Sequence, residues 1–229
     1  MRAAENFFRT EAMAKADPAV PMAEENKAES LLEWVRANSS RISIAGIIVV
    51  AVAAVGLLWR ASADKKELRA SEALAAAQNV VQSGNAALAQ SDLTALLRRY
   101  GGTSAAVQAR LLLAQVYYGQ GKVEDGLREL NAITSPGLYA ASVHALKAAG
   151  LEQAGKPAEA AGEYEKAAAE SNTAFAKASY QSDAARAYLA AGNADAAKRL
   201  WEAMAADDTN PMAGEAKVRL GELNAKPIG

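Results

Sequence analysis

The stretch that decides the fold runs from Ala185 to Trp201 and reads ARAYLAAGNADAAKRLW. Alanine is the strongest helix former, whereas the central Gly-Asn pair interrupts a helix, so the stretch predicts two helices joined by a tight turn at Gly192. Glycine suits the end of the first helix because it enters the left-handed conformation that a Cβ resists. Small residues stand where two antiparallel helices would cross, and Trp201 fills the space beside the crossing.

The same pattern occurs four times, around Gly84, Gly121, Gly155 and Gly192, at intervals of 37, 34 and 37 residues. A small residue stands seven before and five after each glycine, and a large apolar or aromatic residue stands four before and nine after it. No such hairpin buries its apolar face alone, so the copies are expected to stack into one array. The residues predicted to pack the helix crossings are Ala77, Ala89, Ala114, Gly126, Ala148, Ala160, Ala185 and Ala197.

The period and the order of small and large positions resemble the tetratricopeptide repeat (TPR), a helical hairpin of about 34 residues. The resemblance covers residues 70–225 and implies an α-solenoid of about four TPR-like hairpins. A further helix, opened by Asn210-Pro211 and running to about Leu223, is predicted to cap the exposed face of the last hairpin. The predicted fold class is therefore all-α.

Composition excludes several classes of function. The 229 residues include no Cys, which excludes thiolate metal sites and a thiol nucleophile, and one His, which leaves little for metal ligation or a Ser-His-Asp triad. Lys and Arg (25) balance Asp and Glu (26), without the basic excess typical of nucleic-acid-binding proteins. We therefore predict a protein that is not an enzyme and that has no cofactor, no metal, no nucleic-acid partner and no small-molecule substrate.

One run of residues is apolar enough to cross a membrane. Residues 42–59 carry no charge, Arg41 and Arg60 bracket them, and Trp59 stands where an interfacial aromatic residue belongs. As a helix the run would extend about 27 Å, close to the ~30 Å hydrocarbon core of a bilayer. We therefore predict an uncleaved single-pass anchor. The basic residues flanking it are nearly equal in number on the two sides and do not decide its orientation.

These patterns divide the chain into five segments. Residues 1–30 are predicted to form a mobile N-terminal tail, 31–41 an amphipathic juxtamembrane segment and 42–59 the transmembrane helix. Residues 60–225 form the TPR-like domain, and 226–229 a short C-terminal tail.

Three polar groups are predicted to be structural. His144 is expected to pack at the boundary between two helices, and Glu163, Glu165 and Lys166 to form a solvated helix face. Asp207-Asp208 is expected to cap the last helix, because acidic side chains are favoured at helix N-termini.

The candidate site is the groove that the first helices of stacked TPR hairpins line. Its surface is neutral and rich in amides, which suits contacts with an extended peptide or a partner protein, although a solvated groove without a ligand is the alternative. Some TPR proteins clamp acidic tails with basic residues, and Leu111 and Gln115 occupy two of those places here. The candidate partner-binding residues are Gln78, Gln82, Gln108, Leu111, Gln115, Tyr118, Glu152, Gln153, Arg186 and Leu189.

The whole-chain plan resembles the YfgM-like family of small bacterial inner-membrane TPR proteins. The likeness lies in residues 34–38, in the anchor and its Leu58-Trp-Arg60 end, in residues 71–77 and in residues 192–201. It implies a cytoplasmic N-terminus and a periplasmic TPR domain. It also implies association with the SecYEG translocon, where such an adaptor passes exported client proteins to periplasmic chaperones. The resemblance implies no catalytic residue. Two alternatives stay open, a structural assembly factor of a membrane or envelope complex and a cytoplasmic TPR docking module.

Overall fold

The computed structural model describes residues 22–225, which fall into two compact units, one ending at Arg60 and the other beginning at Ala61. Every regular element within this range is helical, as predicted. A single 3-10 turn, Gly137–Tyr139, lies between α5 and α6. The α-helices are α1 (Met22–Ala37), α2 (Ser39–Gln82), α3 (Ala86–Tyr100), α4 (Ser104–Gly119), α5 (Val123–Asn131), α6 (Ala140–Gln153), α7 (Pro157–Ala169), α8 (Ala174–Ala190), α9 (Ala194–Ala206) and α10 (Ala213–Asn224).

The first unit contains α1 and the beginning of α2. By length and composition, α2 is apolar enough to cross a membrane, and none of its most apolar 18-residue window is buried. Between residues 44 and 59 its large side chains are all exposed, from 56% at Ile48 to 78% at Trp59. Contiguous exposed apolar surface of this extent marks a site that contacts a membrane or another protein. This stretch of α2 is therefore the candidate anchor.

The helix boundaries in the first unit differ from the predicted segments. Helix α1 begins at Met22, so it reaches into the predicted mobile tail and ends at Ala37, within the predicted juxtamembrane segment. The Asn38 side-chain amide donates to the carbonyl oxygen of Trp34 (2.9 Å), at the turn that separates α1 from α2. The physical reason is composition, because residues 22–30 include Ala, Glu and Lys, which are strong helix formers. Residues 1–21 and 226–229, both predicted as tails, lie outside the described residues.

The second unit is built from four helical hairpins, α2–α3, α4–α5, α6–α7 and α8–α9, followed by α10. The four glycines that defined the repeat have φ values of +77°, +73°, +71° and +76°, which confirms the predicted left-handed turns. Three of these turns are closed alike. The N–H groups of Lys122, Lys156 and Asn193 donate back to the carbonyls of Tyr117, Leu151 and Tyr188 at 2.8–2.9 Å.

The core of this unit is a series of clusters, each joining one hairpin to the first helix of the next. The first includes Leu74, Leu93 and Leu113, from α2, α3 and α4, and the last joins α8, α9 and α10 around Trp201. All eight residues predicted to pack the helix crossings are buried, and the seven alanines among them are no more than 1% exposed. Each hairpin thus depends on its neighbour for burial, as stacked repeats do.

The C-terminal helix begins later than predicted. Helix α10 starts at Ala213, while Asn210 accepts a hydrogen bond from the N–H of Met212 (2.9 Å) and so stabilises the preceding turn. Asp207 does not cap α10. Its carboxylate accepts hydrogen bonds from the side chain and backbone of Thr209, and these bonds lower its pKa. Short acidic and amide side chains readily close such local turns, which compete with helix capping.

Candidate protein-binding surface

The exposed face of the first helices follows the repeat register. Gln78, Gln115 and Arg186 stand six residues before a turn glycine, and Gln82 and Gln153 stand two residues before one. All five side chains are exposed. Positions four residues apart share one face of a helix, so these two register positions form a continuous line along it. We refer to these five residues as the first-helix stripe.

The stripe is polar and nearly neutral. Arg186 is paired with Asp183, one turn earlier on α8, so its charge is partly offset. Within residues 22–225 none of the four glutamine side chains makes a hydrogen bond to another protein group. Each glutamine amide offers donors and acceptors, which is what the backbone of an extended peptide requires. Such amides suit main-chain groups, which carry no net charge.

Of the five other predicted groove residues, four are at least partly buried, and Glu152 is exposed. Gln108, Leu111 and Leu189 are partly buried, and both leucines pack against core clusters. Tyr118 is buried, 8% exposed, and so cannot line a groove. Tyr118, Glu152 and Leu189 all stand three residues before a turn glycine, yet Tyr118 is buried, Leu189 is partly buried and Glu152 is exposed. The repeat register alone therefore does not predict which of these side chains is exposed.

The Tyr118 ring occupies a slot between two glycines on different helices. Gly126 lies on α5 and Gly150 on α6, and a Cβ added to either would overlap the ring or its hydroxyl. The hydroxyl donates to the carbonyl oxygen of Leu146 (3.3 Å), and burial raises the pKa of Tyr118 to about 12. Gly150 was not predicted as a packing residue. The available signal was a glycine inside a helical pattern, away from any turn.

Glu152 is exposed, yet it is not free. Its Oε2 accepts a hydrogen bond from the Tyr164 hydroxyl (2.9 Å), across the α6–α7 hairpin. Burial, together with this carboxylate, raises the pKa of Tyr164, so the phenol remains a donor. Glu152 thus helps to hold its hairpin together and is the one candidate acidic group at the edge of the stripe.

His144 and Glu163 form a polar contact inside the α6–α7 hairpin. Glu163 Oε2 lies 2.7 Å from His144 Nδ1, and its Oε1 accepts from Lys166 Nζ at 2.6 Å. The Glu163 side chain is only 16% exposed, so the prediction of a solvated face at this residue was wrong. Burial acts to raise the pKa of Glu163, but the hydrogen bonds from His144 and Lys166 outweigh it and hold the pKa below its ordinary value of 4.5.

This contact should make the stability of the protein sensitive to acid. A carboxyl group whose pKa is lower in the folded than in the unfolded state contributes stability that is fully present above its ordinary pKa of 4.5. That stability is lost as the pH falls through the folded-state pKa. Glu163→Gln should therefore lower the melting midpoint near neutral pH and reduce its further fall below about pH 4.5. Scanning calorimetry as a function of pH measures this.

The matched control is Glu170→Gln, because Glu170 is exposed and its carboxylate has no ion pair within the described residues. If both variants reduce the fall of the melting midpoint below pH 4.5 equally, the effect belongs to net charge and not to the His144 contact.

Residues 22–225 hold no group of three or more His, Cys, Asp or Glu side chains placed to bind a metal ion.

Comparison with known proteins identifies the family to which most of the second unit is similar. The model of a family described as a tetratricopeptide repeat-like domain matches residues 61–178, just over half of the chain. The crystal structure of a tetratricopeptide repeat protein from Parabacteroides merdae ATCC 43184 is similar, with a TM-score of 0.54 and 15% identity. The match covers 67% of this chain but 59% of that one, less than two thirds of its length, and at this identity the likeness concerns the fold alone. No curated protein matches the chain.

Proposed function

Because the chain belongs to the family of tetratricopeptide repeat-like domains, we propose that it is a membrane-anchored adaptor that binds partner proteins through its first-helix stripe. A TPR-like domain is a protein–protein interaction module. The observation that carries the proposal is the row of exposed glutamines on α2, α4 and α6, whose amides have no partner in the part of the chain that the structure describes.

The nature of the stripe indicates how a partner would bind. Four amides and one paired guanidinium favour hydrogen bonds to an extended backbone over recognition of a strongly charged tail. Affinity should then depend only weakly on salt, because few counter-charges are neutralised on binding. Partners would be distinguished by their side chains beside the stripe, where the partly buried Leu111 and Leu189 offer apolar contacts.

The anchor proposal rests on the exposed apolar part of α2. Residues 42–59 form a helix about as long as the hydrocarbon core is thick, and in water their exposed Ile, Val and Leu side chains would be costly. In a bilayer the same side chains are favourable, and the helix satisfies its own backbone hydrogen bonds. Membrane insertion therefore accounts for an apolar surface that residues 22–225 leave uncovered.

The resemblance to YfgM-like proteins supports a more specific version of this proposal. In that version the N-terminus is cytoplasmic, the repeats lie in the periplasm at the bacterial inner membrane, and the partners are subunits of the SecYEG translocon, periplasmic chaperones or exported clients. An assembly factor of one membrane or envelope complex is the second candidate, and a cytoplasmic docking module is the third. Deleting the gene distinguishes the first two candidates. Loss of an assembly factor should reduce the amount of one complex, whereas loss of a translocon adaptor should reduce the amounts of many exported proteins.

Site-specific crosslinking in cells tests the stripe. A photoreactive phenylalanine derivative at Gln115, in the centre of the stripe, should yield adducts of discrete mass on irradiation. The same derivative at Glu202, exposed on the second helix α9, should yield none and is the matched control. Equal adducts from both positions, or none from any stripe position, would contradict partner binding at this surface. Mass spectrometry of the adduct then identifies the partner and decides among the three candidates.

A further inference from the structure

The end of the first hairpin that lies nearest in sequence to the apolar run is basic. Lys65, Lys66 and Arg69 lie on α2, and Arg98 and Arg99 lie in the last turn of α3. All five side chains are exposed, and none forms an ion pair with any residue between 22 and 225. We refer to these five residues as the basic end.

Two long-range contacts bring its members together. Lys66 Nζ donates to the carbonyl oxygen of Gly101 (3.1 Å), which fixes the C-terminal end of α3 beside this part of α2. Glu67 accepts hydrogen bonds from the N–H groups of Ser104 (2.9 Å) and Ala105 (3.0 Å), at the start of α4. Of the two carboxylates adjacent in sequence to these lysines, Asp64 and Glu67, Glu67 therefore serves the N-terminus of α4.

In the rest of the second unit most Lys and Arg side chains form ion pairs. Between residues 104 and 225, eight of the twelve Lys and Arg residues form ion pairs, whereas none of the five between 61 and 103 does. The longer segment carries fifteen Asp and Glu residues and is acidic, while the shorter segment carries four and is basic. All five Lys and Arg residues at this end thus lack an ion pair within the described range, against four of the twelve between residues 104 and 225.

We propose that the basic end binds the phosphates of anionic phospholipid headgroups in the membrane that holds the apolar run. Lys65 follows Trp59 by six residues and Arg69 follows it by ten, so the chain keeps them within about 20–35 Å of the end of that run. Lysine ammonium and arginine guanidinium groups are the side chains that bind phosphate. The helix dipole favours Arg98 and Arg99 at the end of α3 without neutralising them.

The inference rests on the proposed anchor, and it assigns the domain a second ligand besides protein. Each Lys or Arg near an anionic surface strengthens association by about fivefold at moderate salt. The attraction should vanish near 1 M salt, where the Debye length is about 3 Å. Binding would restrain the domain against the bilayer and so limit the directions from which a partner reaches the stripe.

The test uses the full chain in lipid vesicles. Because the chain has no cysteine, a single fluorescent label can be placed at Ala95→Cys, exposed one turn before Arg99. The matched label position is Ala87→Cys, also exposed on α3 but eight residues, or about 12 Å, farther from the basic end. Vesicles of phosphatidylcholine alone are compared with vesicles containing one quarter phosphatidylglycerol, each with a trace of lipid whose headgroup carries a nitroxide quencher.

We expect quenching at residue 95 to rise at least fivefold with phosphatidylglycerol, to exceed that at residue 87, and to be abolished by salt near 1 M. The triple variant Arg69→Gln, Arg98→Gln, Arg99→Gln should lose the rise. Its control is Lys122→Gln, Lys177→Gln, Arg199→Gln, which removes the same charge from three exposed residues that are also unpaired in the described range. Equal quenching in both lipids, or equal loss in both triple variants, would overturn the inference.

Flotation with phosphatidylcholine vesicles separates this outcome from failure of the anchor. A chain that floats with neutral vesicles but shows no lipid-dependent quenching keeps the anchor and loses the lipid site. A chain that floats only with phosphatidylglycerol keeps the lipid site and loses the anchor.

Discussion

Replacing Trp201 with alanine should lower the free energy of unfolding by about 3–5 kcal/mol, the usual cost of removing a large aromatic side chain from a core. Trp201 is completely buried on α9. It packs with Ala185 of α8 and Ala216 of α10, so its loss leaves a cavity where three helices meet. Urea denaturation followed by far-UV circular dichroism measures the change.

The control is Trp201→Phe. The indole Nε1 of Trp201 is buried without a hydrogen-bond partner among the described residues, so phenylalanine loses volume but no hydrogen bond. It should cost about 1–2 kcal/mol, clearly less than alanine. If the two substitutions cost the same, Trp201 does not fill the space between α8, α9 and α10.

Gly150→Ala should destabilise the protein by about 1–3 kcal/mol, although alanine is the better helix former by about 1 kcal/mol. The reason is steric, because the added Cβ would meet the buried Tyr118 hydroxyl at the junction of two hairpins. Chemical denaturation measures the effect. Gly162→Ala is the matched control, since Gly162 also lies inside a helix but has no atom within 4 Å of its added Cβ. The Gly162→Ala variant should be more stable than the unsubstituted protein, because alanine is the better helix former.

A second substitution distinguishes overlap with the hydroxyl from overlap with the ring. At Gly150 the nearest atom is the Tyr118 hydroxyl oxygen, whereas at Gly126 it is a ring carbon. Tyr118→Phe removes the nearest contact at Gly150 but keeps the ring carbon Cζ, which is also closer to the added Cβ than a normal contact. It should therefore recover part of the loss caused by Gly150→Ala and little of that caused by Gly126→Ala. Recovery in neither background would show that the hydroxyl does not cause the loss at Gly150. Double-mutant cycles give the two coupling energies directly.

The turns and the helix crossings could be predicted from the sequence because their causes are local. A left-handed turn needs glycine, and a close crossing needs a small residue, so the register around Gly84, Gly121, Gly155 and Gly192 located both. The period also indicated the family. These features repeat, and repetition distinguishes them from the general abundance of alanine.

The contacts between hairpins could not be predicted in the same way. Tyr118 belongs to α4, but its surroundings come from Gly126 and Gly150, on α5 and α6. The Glu163 side chain is shielded by its contact with His144, nineteen residues earlier. Such contacts depend on how one helix rotates against the next, and a pattern within one helix does not fix that rotation. The partner-binding role of the stripe remains a prediction.

The most direct test concerns where the repeats lie, because a translocon-associated adaptor requires them outside the cytoplasm. An export-dependent phosphatase fused after Gly229 reports this in intact cells, with a fusion before Ile42 as the matched control. We predict an active enzyme in the first fusion and an inactive one in the second. A stable but inactive fusion after Gly229 would contradict the periplasmic placement and favour a cytoplasmic docking module.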